Sequence, residues 1–381
     1  MDKETLSNYG WIVICVLVLA VMIALATPFG DYISTAVKST TQGLFDTNKN
    51  ALNSTGLINV GDQSFDDSAS APEIKREAGT LIPDGAKYTV KATNTVLEGN
   101  GTNTFPDIPA TKDTYEEGDY KYTYNNRVHG YGTEWHVAVK DKTKTEYGKI
   151  LSEIAGKPIT NMNNTFKECT SLATAPIIPS SVTSMNSTFS YCDLKTAPAI
   201  PNGVYNMKDT FSGCTSLTAA PAIPNGVTNM YSTFSGCTSL ITAPEIPSSV
   251  TDMDQTFFGC SSLTTAPVIP SSVTDMTWTF MHCTSLKTAP AIPNSVTSMS
   301  FTFQGCTSLT TVPEIPNSVT DMYGTFEDCT SLTGTIEINA NPTRYDSCFS
   351  NTLKPIALTG SSTTLNELAA TSSKGNITVA Q

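Results

Sequence analysis

Charge is scarce in this chain, and basic charge scarcer still. Only 15% of its residues are charged, where soluble domains usually carry about a quarter. Against 34 Asp and Glu there are 22 Lys and Arg, a net charge of -12. No basic stripe exists to neutralise phosphates, which excludes nucleic acid as a partner. Histidine is rarer: His129, His136 and His282 are scattered along the sequence, and no Cys-x-x-Cys pair accompanies them. No ligand set of known metal spacing can be assembled, and no cofactor is expected. Ser and Thr are abundant and supply polar surface in place of charge, but no base recurs beside them, as an activated nucleophile requires. These absences point away from an enzyme. Long hydrophobic runs are also lacking, apart from the seventeen uncharged residues 10–26, at the lower end of the length that crosses a bilayer.

What the sequence has is repetition. Between residues 162 and 332 one pattern is written eight times, with a period of about 23 residues, in the range that marks a solenoid. Phe166, Phe189, Phe211, Phe234, Phe257, Phe280, Phe303 and Phe326 mark the copies. A cysteine follows each Phe by three residues, from 169 to 329, and a methionine precedes it by four, from 162 to 322. A unit this short cannot bury its own apolar face and must borrow its neighbours'. Met, Phe, Cys, Leu, Ile and Val are therefore six inward layers, and stacking lines each type up with itself. Met and Phe four apart predict one side of a helical turn. If coils pair like strands at roughly 4.8 Å, the stack is on the order of 40 Å long. The Ala-Pro-x-Ile-Pro segment, as at residues 243–247, fixes φ twice and removes two backbone donors, so this edge is an extended corner and not a central strand.

These residues resemble the bacterial BspA-like leucine-rich-repeat surface proteins, whose units carry a Phe-x-x-Cys-x-x-Leu core followed by an Ile-Pro-x-x-Val-Thr turn. The resemblance covers residues 159–349, and the extra Ala-Pro in each unit departs from the commonest form. It implies an exported, non-catalytic binding or adhesion protein whose partner is a protein or glycan on a host or neighbouring cell.

The beginning of the chain admits two readings. Ala24, Leu25 and Ala26 offer a small-x-small cleavage site, but Lys3 stands against Asp2 and Glu4, where a signal peptide carries positive charge. The reading preferred is an uncleaved anchor spanning the bilayer through residues 10–26, because Phe29, Ile33, Val37 and Leu44 continue at near-helical spacing as an amphipathic stalk. Flanking Lys3 and Lys38 give no orientation by the positive-inside rule. Asn8, Tyr9 and Gly10 before an apolar run are also similar to Flp-type pilin N-termini. That resemblance implies the alternative of a filament subunit, self-assembling through its N-terminal helix and displaying the repeats.

The expected fold is a β-rich, leucine-rich-repeat-like solenoid of eight coils, with a small α+β N-terminal cap and a transmembrane and stalk helix before it. The boundaries are a polar N-terminus at 1–9, the helix at 10–45, a linker at 46–79, the cap at 80–159, the solenoid at 160–349 and a C-terminal cap and tail at 350–381, read as a final strand or two with a frayed end. Within the cap, residues 88–92, 120–124 and 134–139 alternate with strand period, residues 128–133 read as a hairpin loop, and residues 147–155 as a short helix stopped at Gly156 and Pro158. Capping the open end of the stack is the role expected of this module, with ligand binding by Tyr120, Tyr122, Tyr124 and Trp135 as the alternative.

Two columns of side chains invite a functional reading. The repeat cysteines all share one inward layer, where they act as small buried hydrophobes and stay free thiols. Asp252, Asp275 and Asp321 share one place in their coils and form an exposed acidic row. Positions that vary among otherwise equal coils are not dictated by the scaffold. The two residues after each Met and those after each Phe gather Tyr231, Phe258, Trp278, Met281, His282, Phe301 and Tyr323 on adjacent coils. Exposed aromatic clusters mark contact surfaces, so these seven are the candidate partner site.

Overall fold

The computed structural model describes residues 73–110, 112–125 and 134–380. The apolar run 10–26, the pilin-like residues at its start, the stalk after it, and the loop 128–133 lie outside the described residues. Among the described residues no helix is long and apolar enough to cross a membrane.

Residues 73–161 build an eight-stranded sheet. Its strands are β1 (Ile74–Arg76), β2 (Lys87–Val90), β3 (Thr95–Glu98), β4 (Thr114–Glu117), β5 (Tyr120–Asn125), β6 (Glu134–Val139), β7 (Leu151–Ile154) and β8 (Lys157–Asn161), in the order β1-β7-β8-β6-β5-β4-β2-β3. Tyr88, Tyr115, Tyr120, Tyr122, Tyr124 and Trp135 are at most 2% exposed. The Tyr120 hydroxyl donates to the Gly148 carbonyl at 2.6 Å, the Tyr122 hydroxyl accepts from the Leu151 amide at 3.2 Å, and the Trp135 indole donates to the Ile154 carbonyl at 3.0 Å. Buried rings with their polar atoms spent internally are core, so the ligand-binding alternative for these aromatics is corrected.

Two boundaries also differ from the sequence expectation. The helix over residues 147–155 is replaced by β7, because Glu153 and Ile154 find a strand on either side, β1 parallel and β8 antiparallel, and tertiary pairing overrides local propensity. Ala155 and Gly156, at φ 49° and 68°, close the β7–β8 hairpin as a two-residue turn needs. The linker ends earlier than residue 79, since Ile74–Arg76 is already a strand and Arg76 pairs with Glu117.

β8 leads straight into the repeats, for Asn161 bridges Ser184, which bridges Asn206 and then Asn229 and Asp252. Tyr120 and Tyr147 pack edge-on against Phe166 at 6.3 and 5.2 Å. From there the Phe rings stack nearly parallel at 5.3 to 5.8 Å as far as Phe349. The spacing exceeds that of paired strands because the contact is turn on turn. Met, Phe, Cys, Leu and Val of every copy are buried to 2% exposure or less, as the period predicts. The helical turn does not form: Asn164 and Glu168 take φ 60° and 64°, which no right-handed helix admits. Instead, amides of Met162, Asn164, Phe166 and Glu168 donate to the next coil, while those of Thr165, Lys167 and Cys169 close turns three residues back.

The sequence reading overlooked a seventh inward column, the Thr before every Phe. Thr256 is wholly buried, and its hydroxyl lies 2.9 Å from the Met230 carbonyl and 2.8 Å from that of Met253, stitching neighbouring coils together. The cysteines do the same with sulfur: the Cys260 thiol donates to the Phe234 carbonyl at 3.1 Å, and all nine described cysteines are free and buried.

Coils along the proline corner share only isolated bridges, such as Thr242↔Thr265. Where the prolines stop, strands begin. Ile338 pairs Ile315 one coil earlier, so Ile336 and Asn339 stand where Pro313 and Pro316 stood; with the donors restored, β9 (Gly334–Glu337), β10 (Ile356–Thr359) and β11 (Ile377–Val379) form a parallel ladder. The stack therefore continues past residue 349 through residue 379 with one short helix, α1 (Leu365–Ala370), and β10 and β11 are the final strands expected after residue 350, while the frayed tail expected there is ordered through β11. In the ninth copy Tyr345 holds the methionine place and Cys348 the threonine place, as the Cys348 amide bonds the Tyr345 carbonyl and Phe326 donates to Cys348. The result is a β-solenoid of about 11 turns.

Candidate partner-binding face

The second residue after each Met must turn the chain back, and in every coil it takes positive φ. Asn164, Ser187, Asp209, Ser232 and Gln255 hold 51° to 60° there, and Trp278 and Phe301 hold 54°. Short polar side chains tolerate that region, whereas for a bulky one it is an outlier. The scaffold asks for a small residue and two adjacent coils supply rings. A second left-handed column lies two residues after each Phe, where Gly213, Gly236, Gly259 and Gly305 share the place with Tyr191 and His282, and Glu168 and Asp328 hold its ends. Each such ring leans on a glycine one coil further: a Cβ on Gly305 would sit 2.4 Å from His282 Nδ1, and one on Gly324 2.6 Å from the Phe301 ring.

The seven predicted residues do not form one exposed cluster. His282 is exposed, whereas Tyr231, Phe258, Trp278, Met281, Phe301 and Tyr323 are half-buried, covered by each other and by neighbouring turns. They fall into three groups. Trp278 stacks on Phe301 at 6.3 Å, Phe301 meets Tyr323 edge-on at 4.9 Å, and the Arg344 guanidinium lies 5.3 Å from the Tyr323 ring while binding Asp321 at 2.6 Å. Phe258 meets His282 edge-on at 5.8 Å. Tyr231 lies under the Lys208 ammonium at 4.4 Å and accepts from Gln255 Nε2 at 3.0 Å. Met281 joins none of these ring contacts.

Sequence reasoning missed Tyr191 and Tyr205, which are 56% and 43% exposed, and the apolar Val268 on the proline edge, which is 85% exposed. Tyr191 was legible, since it occupies the same place after Phe as His282. Val268 was legible too, because it lies between the buried ends of an Ala-Pro-x-Ile step and points out.

The expected exposed acidic row is exposed only in part: Asp275 is exposed, whereas Asp252 and Asp321 are half-buried, Asp252 ending one run of bridges after Asn229 and Asp275, Ser298, Asp321 and Arg344 forming another. Asp254 stands two residues on from Asp252. Burial, then the charges of Asp275 and Asp252, push its carboxyl up to about 6, and its Oδ1 is buried without a hydrogen-bond partner. No three His, Cys, Asp or Glu among the described residues are placed to hold a metal ion.

Such an arrangement defines a class: a repeat scaffold whose interior is used entirely for stacking and whose outer side chains are free to differ. The repeat region matches the BspA type Leucine rich repeat region over residues 153–218, 186–300 and 277–378, in six copies, and the chain belongs to that family. Among solved structures it is similar to a leucine-rich repeat protein from Bacteroides ovatus, 18% identical with a TM-score of 0.39, covering 70% of this chain and 99% of that one. It is also similar to the T. pallidum leucine rich repeat protein, at 22% identity and TM-score 0.34, over 51% of this chain and 78% of that one. A leucine rich cell surface protein from Faecalibacterium prausnitzii matches at 18% identity and TM-score 0.32, over 61% of this chain and 96% of that one. No curated protein matches.

Proposed function

We propose that this chain is a non-catalytic cell-surface binding protein, held in the bacterial membrane through residues 10–26, with the sheet of residues 73–161 closing the first coil and the solenoid presented outside. Its partner is a molecule on a host or neighbouring cell, engaged through the face of Tyr231, Phe258, Trp278, Met281, His282, Phe301 and Tyr323. The observation that carries this reading is the Trp278–Phe301 stack, two bulky residues at φ 54° where other coils place Asn, Ser, Asp or Gln. Strain of this kind, of order 1–3 kcal/mol per residue, persists where it serves function.

The test is retention of purified protein on intact cells. Trp278→Ser with Phe301→Ser removes two ring pairs outside the stacked core, so the variant should still fold, with a melting temperature modestly below that of the parent, and should lower retention. Unchanged retention by a folded variant removes the proposal. For the anchor, the full chain should sediment with membranes and a chain lacking residues 10–26 should not; sedimentation of both would defeat that part alone.

A further inference from the structure

We propose that the part of this face between Tyr231 and Phe301 receives the Lys and Arg side chains of a basic polypeptide. The inference rests on the surface-binding reading above and names the chemistry of the partner.

The chain already shows what this face does with cations. At one end Arg344 lies over Tyr323 and binds Asp321; at the other Lys208 lies over Tyr231. A ring beside a carboxylate attracts a cation by quadrupole and by charge together. Between these ends the same elements recur without a cation. Asp252 and Asp254 stand on one coil, Asp275 and Trp278 on the next, and Phe301 on the one after. Gln255 ties the stretch to Tyr231. Among the described residues no Lys or Arg forms an ion pair with Asp252, Asp254 or Asp275; their oxygens cap local turns through the Asp254 and Thr277 amides. Burial first, and then the like charges of Asp275 and Asp252, raise the Asp254 carboxyl.

The occupant follows from complementarity. A metal ion needs converging ligands, which this row does not offer. A neutral sugar would use the rings and leave the carboxylates repelling one another. Guanidinium and ammonium groups satisfy both, and a peptide carrying several at intervals can pass from the coil of Asp252 and Asp254 to that of Asp275 and Trp278. Net charge of -12 adds long-range attraction of the same sign.

The experiment uses the full chain and labelled ten-residue peptides alternating Arg with Ser, Glu with Ser, or Ala with Ser, read by fluorescence anisotropy at low and physiological salt. The basic peptide should bind and the other two should not. Asp252→Asn with Asp275→Asn should weaken binding about tenfold, and Trp278→Ser with Phe301→Ser by a similar factor. Glu245→Gln with Glu314→Gln removes the same charge from the exposed proline edge and should change affinity by less than about twofold. Melting curves confirm that each variant is folded. The inference fails if the basic peptide does not bind, if the proline-edge variant loses as much as the face variant, or if the aromatic variant loses nothing. Should the aromatic variant lose retention on cells while the basic peptide neither binds nor competes, the choice of partner is wrong and the surface-binding reading stands.

Discussion

Phe257→Ala tests the stack at its centre. The ring is wholly buried, 5.7 Å from Phe234 and 5.6 Å from Phe280, with interplanar angles of 8° and 5°. Withdrawing a Phe side chain from a core costs about 3–5 kcal/mol, transfer and cavity together, and the cost is highest where the site cannot collapse. Here it cannot. The Phe257 amide is bonded to the Thr279 carbonyl at 2.9 Å, and Thr256 is fixed to Met230 and Met253, so the coil cannot sink into the void. About 4–5 kcal/mol is expected, against a total of about 5–15 for ordinary domains. Phe257→Leu keeps most of the volume and removes two ring pairs worth about 0.5–1.5 kcal/mol each, so about 1–3. Urea unfolding followed by circular dichroism measures both, and the leucine variant remains informative if the alanine one does not fold. A double-mutant cycle then tests the one-dimensional character of the stack. Phe257 and Phe280, in contact, should couple by more than about 0.5 kcal/mol, while Phe257 and Phe326, three coils apart, should add within about that value. A cost below about 1 kcal/mol for the alanine variant, or equal coupling in the two cycles, would refute the reasoning.

Thr256→Val removes a hydroxyl that binds two carbonyls and should cost about 1–2 kcal/mol, whereas Thr251→Val, exposed and 3.4 Å from its acceptor, should cost less than about 0.5; equal costs in urea would deny the threonine column its role. Burial pushes the Cys306 thiol from 9.0 up to about 12, so the stability this gives is full below the unfolded value and is lost as pH rises from 9 toward 12. The melting temperature should fall between pH 9 and 11, and none of the nine buried thiols should react with a labelling reagent in the native protein at pH 8. Labelling of several would contradict the burial. Asp254 is raised from 3.8 to about 6; its contribution is favourable below 3.8 and lost as pH rises through 6. Asp254→Asn should therefore raise the melting temperature at pH 7.5 and give no gain at pH 3.5, and a loss at pH 7.5 would mean the carboxylate is compensated.

Much of the candidate face was legible because a repeat is its own control. Trp278 and Phe301 stand out only against Asn164, Ser187 and Ser232 in the same place. Their exposure was not legible. It depends on the left-handed backbone, which lays each ring along the stack onto the next coil, Phe301 onto Gly324 and His282 onto Gly305. The missed threonines show the converse limit: Thr before Phe is as regular as Cys after it, but a polar residue reads as surface until its hydrogen-bond partner on the neighbouring coil is known.

The sequence by itself determined that short coils stack in register, which side chains enter the interior, and where the proline corner forbids a ladder, because each follows from local chemistry repeated at a fixed period. Only the tertiary structure decided that residues 151–154 pair as a strand, that the stack runs on through residue 379, and that among the described residues no Lys or Arg pairs with the Asp252, Asp254 and Asp275 carboxylates, two of which cap local turns. Those outcomes depend on partners roughly a coil or more away along the chain, and no local pattern carries the identity of a neighbour that folding alone brings near.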